Sequence, residues 1–288
     1  MEIPYRSIIA RSVIVPATFP RRPFFRLPTT VVFIGDIVRF KRKVPIAFDR
    51  KEFTVKTAET RMEMLQACML RYEVFHKEYA GKRFPVGIDA DRYDAWADHL
   101  VIIDNRTGHV VGAYRLICSQ FSNDFYSASE FDLSGLTAQD GVQLELSRAC
   151  IRPDHRNGVV MSLLWRGLGA YMAAVNARWL FGLSSVKSIH VPAIADVHRQ
   201  LREQGRMREE GLVTPRPSFR IPGYRNALDR PSPNREEIPG LFQAYLKAGA
   251  EVYDEPALDR DFRCADFLTV LDRQKMSPAH EKKFVRGM

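Results

Sequence analysis

Apolar and polar side chains alternate strictly from Gln143 to Ser147, and the alternation then fails at Arg148. Leu144 and Leu146 face one way and Gln143, Glu145 and Ser147 the other, the period of a half-buried strand. If the register held, Arg148 would join the leucines, yet the apolar set resumes at Ala149 and Ile151. A kink or bulge at Arg148 is therefore expected, a device that re-aims side chains and frees backbone groups. Pro153 ends the strand, and Arg156-Asn157-Gly158 opens an apolar helix expected over 159–177. A strand bearing a carboxylate, a kink and a helix N-terminus behind a glycine make a cradle for an anion. The same residues also fit an ordinary strand–turn–helix with a surface ion pair.

Upstream, residues 58–79 read as one helix with Met62, Leu65, Met69, Tyr72 and Phe75 along a stripe. The acidic loop Asp89-Ala-Asp-Arg-Tyr-Asp94 precedes a hairpin, 99–104 and 110–118, around the turn Asn105-Arg106-Thr107-Gly108. Residues 121–140 form a mixed connection. Downstream the pattern predicts a short strand over 179–185, a helix over 193–207 and a Pro- and Arg-rich loop over 215–233. A helix over 236–248 and strands near 251–253 and 264–271 complete the chain. There is no internal repeat. The order predicts an α+β fold, one sheet with helices packed on it.

Composition narrows the class. The 288 residues suffice for one large domain with appendages. The four cysteines, Cys68, Cys118, Cys150 and Cys264, include no CxxC pair, so they are expected to be reduced, buried thiols without a disulfide or metal. No apolar run reaches the roughly 18 residues that span a bilayer, and Pro4, Arg6, Arg11 and Pro16 interrupt any signal-peptide core.

The net charge of +9 is concentrated at one end. Residues 1–56 hold 12 Lys+Arg against 4 Asp+Glu, whereas the remaining 232 hold 31 against 30. Phe24, Phe25 and Phe40 interleave with these basic residues, which suits an anionic lipid surface or nucleic acid. A tail wrapped on its own domain fits the same composition. The chain is accordingly divided into a basic extension, 1–56, and a domain, 57–288.

Several segments carry a resemblance: Arg71-Tyr-Glu-Val-Phe75, the loop 89–94, His99-Leu100, Gly112-Ala-Tyr-Arg-Leu116, Phe125-Tyr-Ser-Ala-Ser-Glu-Phe-Asp-Leu133, Glu145-Leu-Ser-Arg148, Tyr245-Leu-Lys-Ala-Gly-Ala250 and Pro256-Ala-Leu-Asp259. Through them residues 57–284 resemble the acyl-carrier-protein-dependent N-acyltransferases of GNAT fold that form lyso-ornithine lipids. The skeleton is also similar to acyl-homoserine-lactone synthases, with the shared motifs falling on Arg71/Phe75, Asp91/Asp94, Arg115 and Glu145/Arg148. The resemblance implies a mixed, mostly antiparallel sheet flanked by helices. It also implies acyl carrier protein as donor and partner, with no resident cofactor, and ornithine as the default acceptor. One departure is visible: Arg156-Asn157-Gly158-Val159-Val160-Met161 has a single glycine where acyl-CoA enzymes of this fold carry two small residues around a pyrophosphate nest. A degenerate nest suits the single phosphodiester of phosphopantetheine.

The chemistry asks for few parts. An ammonium must lose a proton before it attacks a thioester, and Glu145 is the expected base. Backbone N–H groups freed at the kink near Arg148–Cys150 are expected to meet the oxyanion, and no covalent intermediate is required of Ser147 or Cys150. Arg71, Phe75, Asp91, Asp94, His99 and Arg115 are expected to bind the acceptor or brace its site. The carrier is expected to meet Arg152, Arg156 and Gly158, and Arg202 and Arg206 within the basic stretch 199–230. Two other readings stand beside this one: a signal synthase acting on S-adenosylmethionine, or acylation of glycine or another amine. A non-enzymatic binder explains the basic end alone, and the nearly neutral remainder argues against nucleic acid. The product would pass to the bilayer, so the protein is expected at the cytoplasmic membrane surface, held by residues 1–56.

Overall fold

The computed structural model describes residues 40–82, 86–208, 213–230 and 235–282. Its main sheet is built from β1 (Ala47–Arg50), β2 (Phe53–Thr57), β3 (Asp98–Asp104), β4 (His109–Cys118), β6 (Val142–Ile151), β7 (Ala177–Val186), β11 (Cys264–Asp272) and β10 (Ala257–Asp259) in that spatial order, with β9 (Glu251–Val252) also pairing β11. A separate two-stranded pairing joins β5 (Phe131–Asp132) to β8 (Thr214–Pro215). Within the main sheet the named strands pair antiparallel except β6 with β7, which run parallel.

Both faces of the central strands are covered. Helix α1 (Arg61–Arg71) buries Met64, Ala67 and Cys68 with Val101, Ala113 and Cys150. Helix α2 (Val159–Ala174) lays Leu164, Leu168 and Tyr171 over Val55, Leu100, Ile102 and Leu144. Burial on two sides explains why β3 reads as a continuous apolar run instead of an alternating one. Helices α3 (Val191–Glu203) and α4 (Gly240–Ala248) pack Ile194, Val197, Leu201, Phe242 and Leu246 near β7, β9 and β11.

Several boundaries differ from expectation, each for a local reason. The helix expected over 58–79 begins at Arg61, where Thr60 and Glu63 make a reciprocal capping box worth about 1 kcal/mol. It widens into π-helical turns over Tyr72–Tyr79, and in the regular turns before them the buried face runs through Met64, Ala67, Cys68 and Arg71, leaving Met62 exposed. Helix α2 stops at Ala174, because β7 already starts at Ala177. Strand β10 falls where no strand was expected.

The division at residue 56 is overturned. Strand β2 crosses it and pairs β3 from Phe53↔Asp104 to Thr57↔Leu100. The Asp98 carboxylate accepts from the Lys43 and Val44 N–H groups at 2.8 and 2.9 Å. Phe40 is buried edge-on to His99 at 5.7 Å, so it is a core residue and does not enter a membrane interface. The expectations attached to Phe24 and Phe25 lie outside the described residues. Among the described residues, no helix is long and apolar enough to cross a membrane.

Candidate functional site

Strand β6 carries the predicted bulge. Arg115 pairs Ser147 and Ala113 pairs Cys150, so Arg148 and Ala149 together oppose Tyr114. Arg148 takes a positive φ of 56°, a conformation that a non-glycine residue adopts only when its surroundings compensate. The bulge keeps Leu144, Leu146, Ala149 and Ile151 packed on one apolar cluster. On its other edge β6 stays in register with β7 only from Val142↔Ala177 to Glu145↔Phe181. Beyond that point the strands splay, and among the described residues that edge of β6 has no ladder partner.

A cavity of about 210 Å³ opens at the splay. Its walls come from β6 (Leu146 to Ala149), β7 (Leu183 to Ser185), the π-helical turns (Phe75, Tyr79), α4 (Tyr245) and β11 (Asp266). An apolar recess of about 30 Å³ adjoins it, sharing Leu146, Leu183, Ser184 and Tyr245 and closed by Trp165 and Leu271. The Tyr114 and Tyr245 hydroxyls hydrogen-bond to each other at the cavity wall. Burial pushes Tyr245 up to about 12, so its hydroxyl keeps its proton at neutral pH.

Beside the cavity lies a network of buried ions. Arg71 donates to Asp89 at 3.0 Å and grips Asp94 with both terminal nitrogens, at 2.7 and 3.2 Å. Arg115 donates through Nε to Ser147 Oγ at 2.9 Å and through Nη1 to Asp91 at 2.5 Å and Asp94 at 3.2 Å. Arg148 approaches Asp89 at 3.2 Å and Asp91 at 3.5 Å, and its guanidinium lies over Tyr126, 4.7 Å from the ring centre. Three arginines thus meet three aspartates, as buried charges require. Burial opposes the Asp94 charge, but Arg71 and Arg115 hold its carboxyl well below the usual carboxylate range. Burial pushes the adjacent His99 down to about 3, which makes it a neutral strand residue. The structure therefore brings Arg71, Asp91, Asp94, His99, Arg115, Ser147 and Arg148 together, with Phe75 under Arg148 at 5.7 Å.

Other expected roles change. Glu145 is fully buried and does not line the cavity. Its oxygens accept from the Tyr126 N–H, the Ser127 N–H and the Ser127 hydroxyl at 2.6, 2.6 and 2.5 Å. Burial raises its pKa against those hydrogen bonds. Through these contacts Glu145, the expected base, anchors the turn that presents Tyr126. Arg156 is taken up by Glu78, at 2.6 Å to each oxygen, and by the Ile151 carbonyl, while Arg152 pairs Asp154. Gly158 caps α2 with a φ of +87°, as the motif required. Arg202 contacts His198 and Asp254, and Arg206 lines a separate depression beside Glu236, so neither borders the cavity. Arg199, Arg208 and Arg225 of the same basic stretch likewise pair Asp196, Glu251 and Asp254. Charge counting cannot see such pairing.

The sequence reading gave no role to a second acidic group. Asp259, Asp266 and Cys264 gather on the cavity wall, and Glu130 lies against Asp266 behind them. Burial pushes Asp266 up to about 6, with Asp259 adding to the shift and Ser185 opposing it. Burial first, then Asp266 and Asp259, raise Glu130 as well. The available signal was an acid inside the apolar run Ala265–Asp266–Phe267–Leu268, together with Glu130 and Asp259 inside two of the resemblance motifs. The four cysteines are free and buried.

The acetyltransferase (GNAT) domain family matches residues 70–166. The chain is 32% identical over 248 residues to the L-ornithine N(alpha)-acyltransferase of Rhodobacter capsulatus, covering 81% of this chain and 95% of that protein. It is 30% identical over 247 residues to the enzyme of the same name from Rhizobium meliloti, covering 77% and 80%. Among solved structures, the acyl-homoserine-lactone synthase LasI aligns with a TM-score of 0.46 at 15% identity, over 81% of this chain and 94% of that one.

Proposed function

Because the chain belongs to the L-ornithine N(alpha)-acyltransferase family, we propose that it moves a 3-hydroxyacyl group from acyl carrier protein to the α-amine of ornithine, giving a lyso-ornithine-type lipid. It is a GNAT-fold acyltransferase. The observation that carries the finer reading is the cavity at the β6–β7 splay, which has a polar wall on one side and an apolar recess on the other.

A thioester laid along the splay puts its carbonyl against the unpaired edge of β6 and the start of its acyl chain against Leu146, Trp165 and Leu271. Arg148, on the cavity wall, takes the acceptor carboxylate. The acceptor ammonium gives one proton to water, and the free amine attacks the carbonyl. The C–N bond forms as donors at the bulge stabilise the oxyanion. The C–S bond then breaks, and the second amine proton passes, through the Tyr245 hydroxyl, to the leaving thiolate. Glu145 acts indirectly, by fixing Tyr126 beneath Arg148. The donor phosphate meets the N-terminus of α2 behind Gly158, where Asn157 Oδ1 already accepts from the Val159 N–H.

Residues 1–39, with six arginines against Glu2 and Asp36, hold the enzyme on the anionic cytoplasmic face of the membrane. Purified protein incubated with 3-hydroxyacyl carrier protein and an amine panel tests the reaction by mass spectrometry. N-acylornithine is the expected product. A product formed only from another amine, or from S-adenosylmethionine, would refute it.

A further inference from the structure

Asp259 and Asp266 differ from every aspartate of the arginine network in one respect. Among the described residues, no Lys, Arg or His forms an ion pair with Asp259, Asp266 or Glu130. Yet Asp266 and Glu130 are each only 3% exposed. Asp266 sits on β11 and faces the cavity, where Ser185 Oγ donates to it at 2.5 Å. Asp259 ends β10 opposite Cys264, and one oxygen accepts the Asp261 and Phe262 N–H groups at 2.8 and 2.9 Å. An oxygen from each aspartate and the Cys264 sulfur lie within 4.8 Å of one another. Glu130 completes the group: its carboxyl hydrogen-bonds Asp266, and among the described residues no basic side chain pairs with it.

Buried carboxylates are held by cations, and here the protein supplies none within ion-pairing distance. A ligand's ammonium would supply that cation. Burial, then Asp266 and Asp259, raise Glu130 so that it keeps its proton at neutral pH, and the cluster offers the aspartate oxygens to a cation. Burial and these acids also push the Cys264 thiol up, which keeps it protonated. Oxygen acceptors without a thiolate favour an ammonium over a soft metal ion.

We propose that Asp266, Asp259 and Glu130 form the pocket for the side-chain ammonium of a diamino-acid acceptor. The inference rests on the acyl-transfer reading above and assigns the second end of its acceptor. Arg148, Asp259 and Asp266 border one cavity, so a substrate with a carboxylate at one end and a second amine at the other spans it. A monoamino acid leaves the carboxylates uncompensated, which makes the cluster a device for selectivity.

The test compares ornithine with norvaline, which has the same side chain without its terminal amine. Wild-type protein should prefer ornithine in kcat/KM by about 10² or more. Asp266→Asn should cut that ratio at least about tenfold, mainly by raising KM for ornithine, and Asp259→Asn should move it the same way. An unchanged ratio in both variants, or equal losses on both acceptors, overturns the proposal. If Asp266→Asn does not fold, the Asp259→Asn ratio decides. Calorimetric binding of ornithine to the donor-free protein separates the two readings. Binding that is lost in Asp266→Asn, without acyl transfer by wild type, keeps the pocket and refutes the reaction. Acyl transfer with an unchanged ratio does the reverse.

Discussion

Gly182 of β7 faces the Leu146 carbonyl of β6 so closely that a Cβ at Gly182 would lie 2.2 Å from that oxygen. The contact falls one residue beyond the last paired position, Glu145↔Phe181, where the strands part. A backbone carbonyl cannot swing aside as a flexible side chain can. Gly182→Ala must therefore push the two strands apart at the mouth of the cavity. We expect a loss of about 1–3 kcal/mol in chemical denaturation and a larger proportional loss of acyl transfer. A variant with wild-type stability and turnover would show that the splay tolerates a wider opening.

Glu145→Gln leaves three donors facing a side chain that has one acceptor oxygen and an NH₂ group. The cost should be about 1–3 kcal/mol, because one buried donor loses its partner. Ser127→Ala, which deletes the 2.5 Å hydroxyl contact, should lower the melting temperature too, and turnover should fall in step with stability for both. A Gln variant that melts like wild type but loses about 10² in kcat would restore Glu145 as the base.

The chemistry nearest the bulge was legible because it is local. The break in alternation at Arg148 is a property of six consecutive residues, and it marked the β6 bulge and the change of face at Ala149. The motif residues Arg71, Asp91, Asp94, Arg115 and Ser147 also came together as expected. The burial of Arg71 was hidden, since a stripe of apolar residues does not count an arginine whose charge is met by Asp89 and Asp94. The acid cluster was hidden for a different reason. Glu130, Ser185, Asp259 and Asp266 arrive from four separate segments, and only strand order sets β7 and β10 on either side of β11. The pairing of Arg202 with Asp254 was hidden in the same way, because the two are distant in sequence.

His99 supplies a pH signature. Burial holds it down to about 3, against an ordinary value of 6.5. As pH falls below 6.5 the unfolded chain takes up this proton and the folded chain does not, so stability is lost progressively from about pH 6.5 to about pH 3. One such group contributes a slope of at most about 1.4 kcal/mol per pH unit. Denaturant midpoints between pH 7 and pH 5 should fall less steeply for His99→Gln than for wild type. Parallel curves would assign the titration to another group.

Two deletions separate the basic end into its parts. Removing residues 1–39 takes away six arginines, Phe24 and Phe25 and leaves β1, β2 and the Asp98 contacts to Lys43 and Val44 in place. Each basic residue near an anionic surface is worth about 1 kcal/mol, so a few of them with two aromatic rings give reversible binding. The shortened protein should keep its melting temperature and its activity on soluble acyl carrier protein, and should no longer sediment with anionic vesicles. Salt should weaken sedimentation of the full chain, because screening acts on exposed charges. Removing residues 1–56 strips most of the register that β2 forms with β3 and uncovers Leu100 and Ile102, so that protein should not fold. Undiminished vesicle binding by the shorter deletion would place the membrane contact on the folded domain instead.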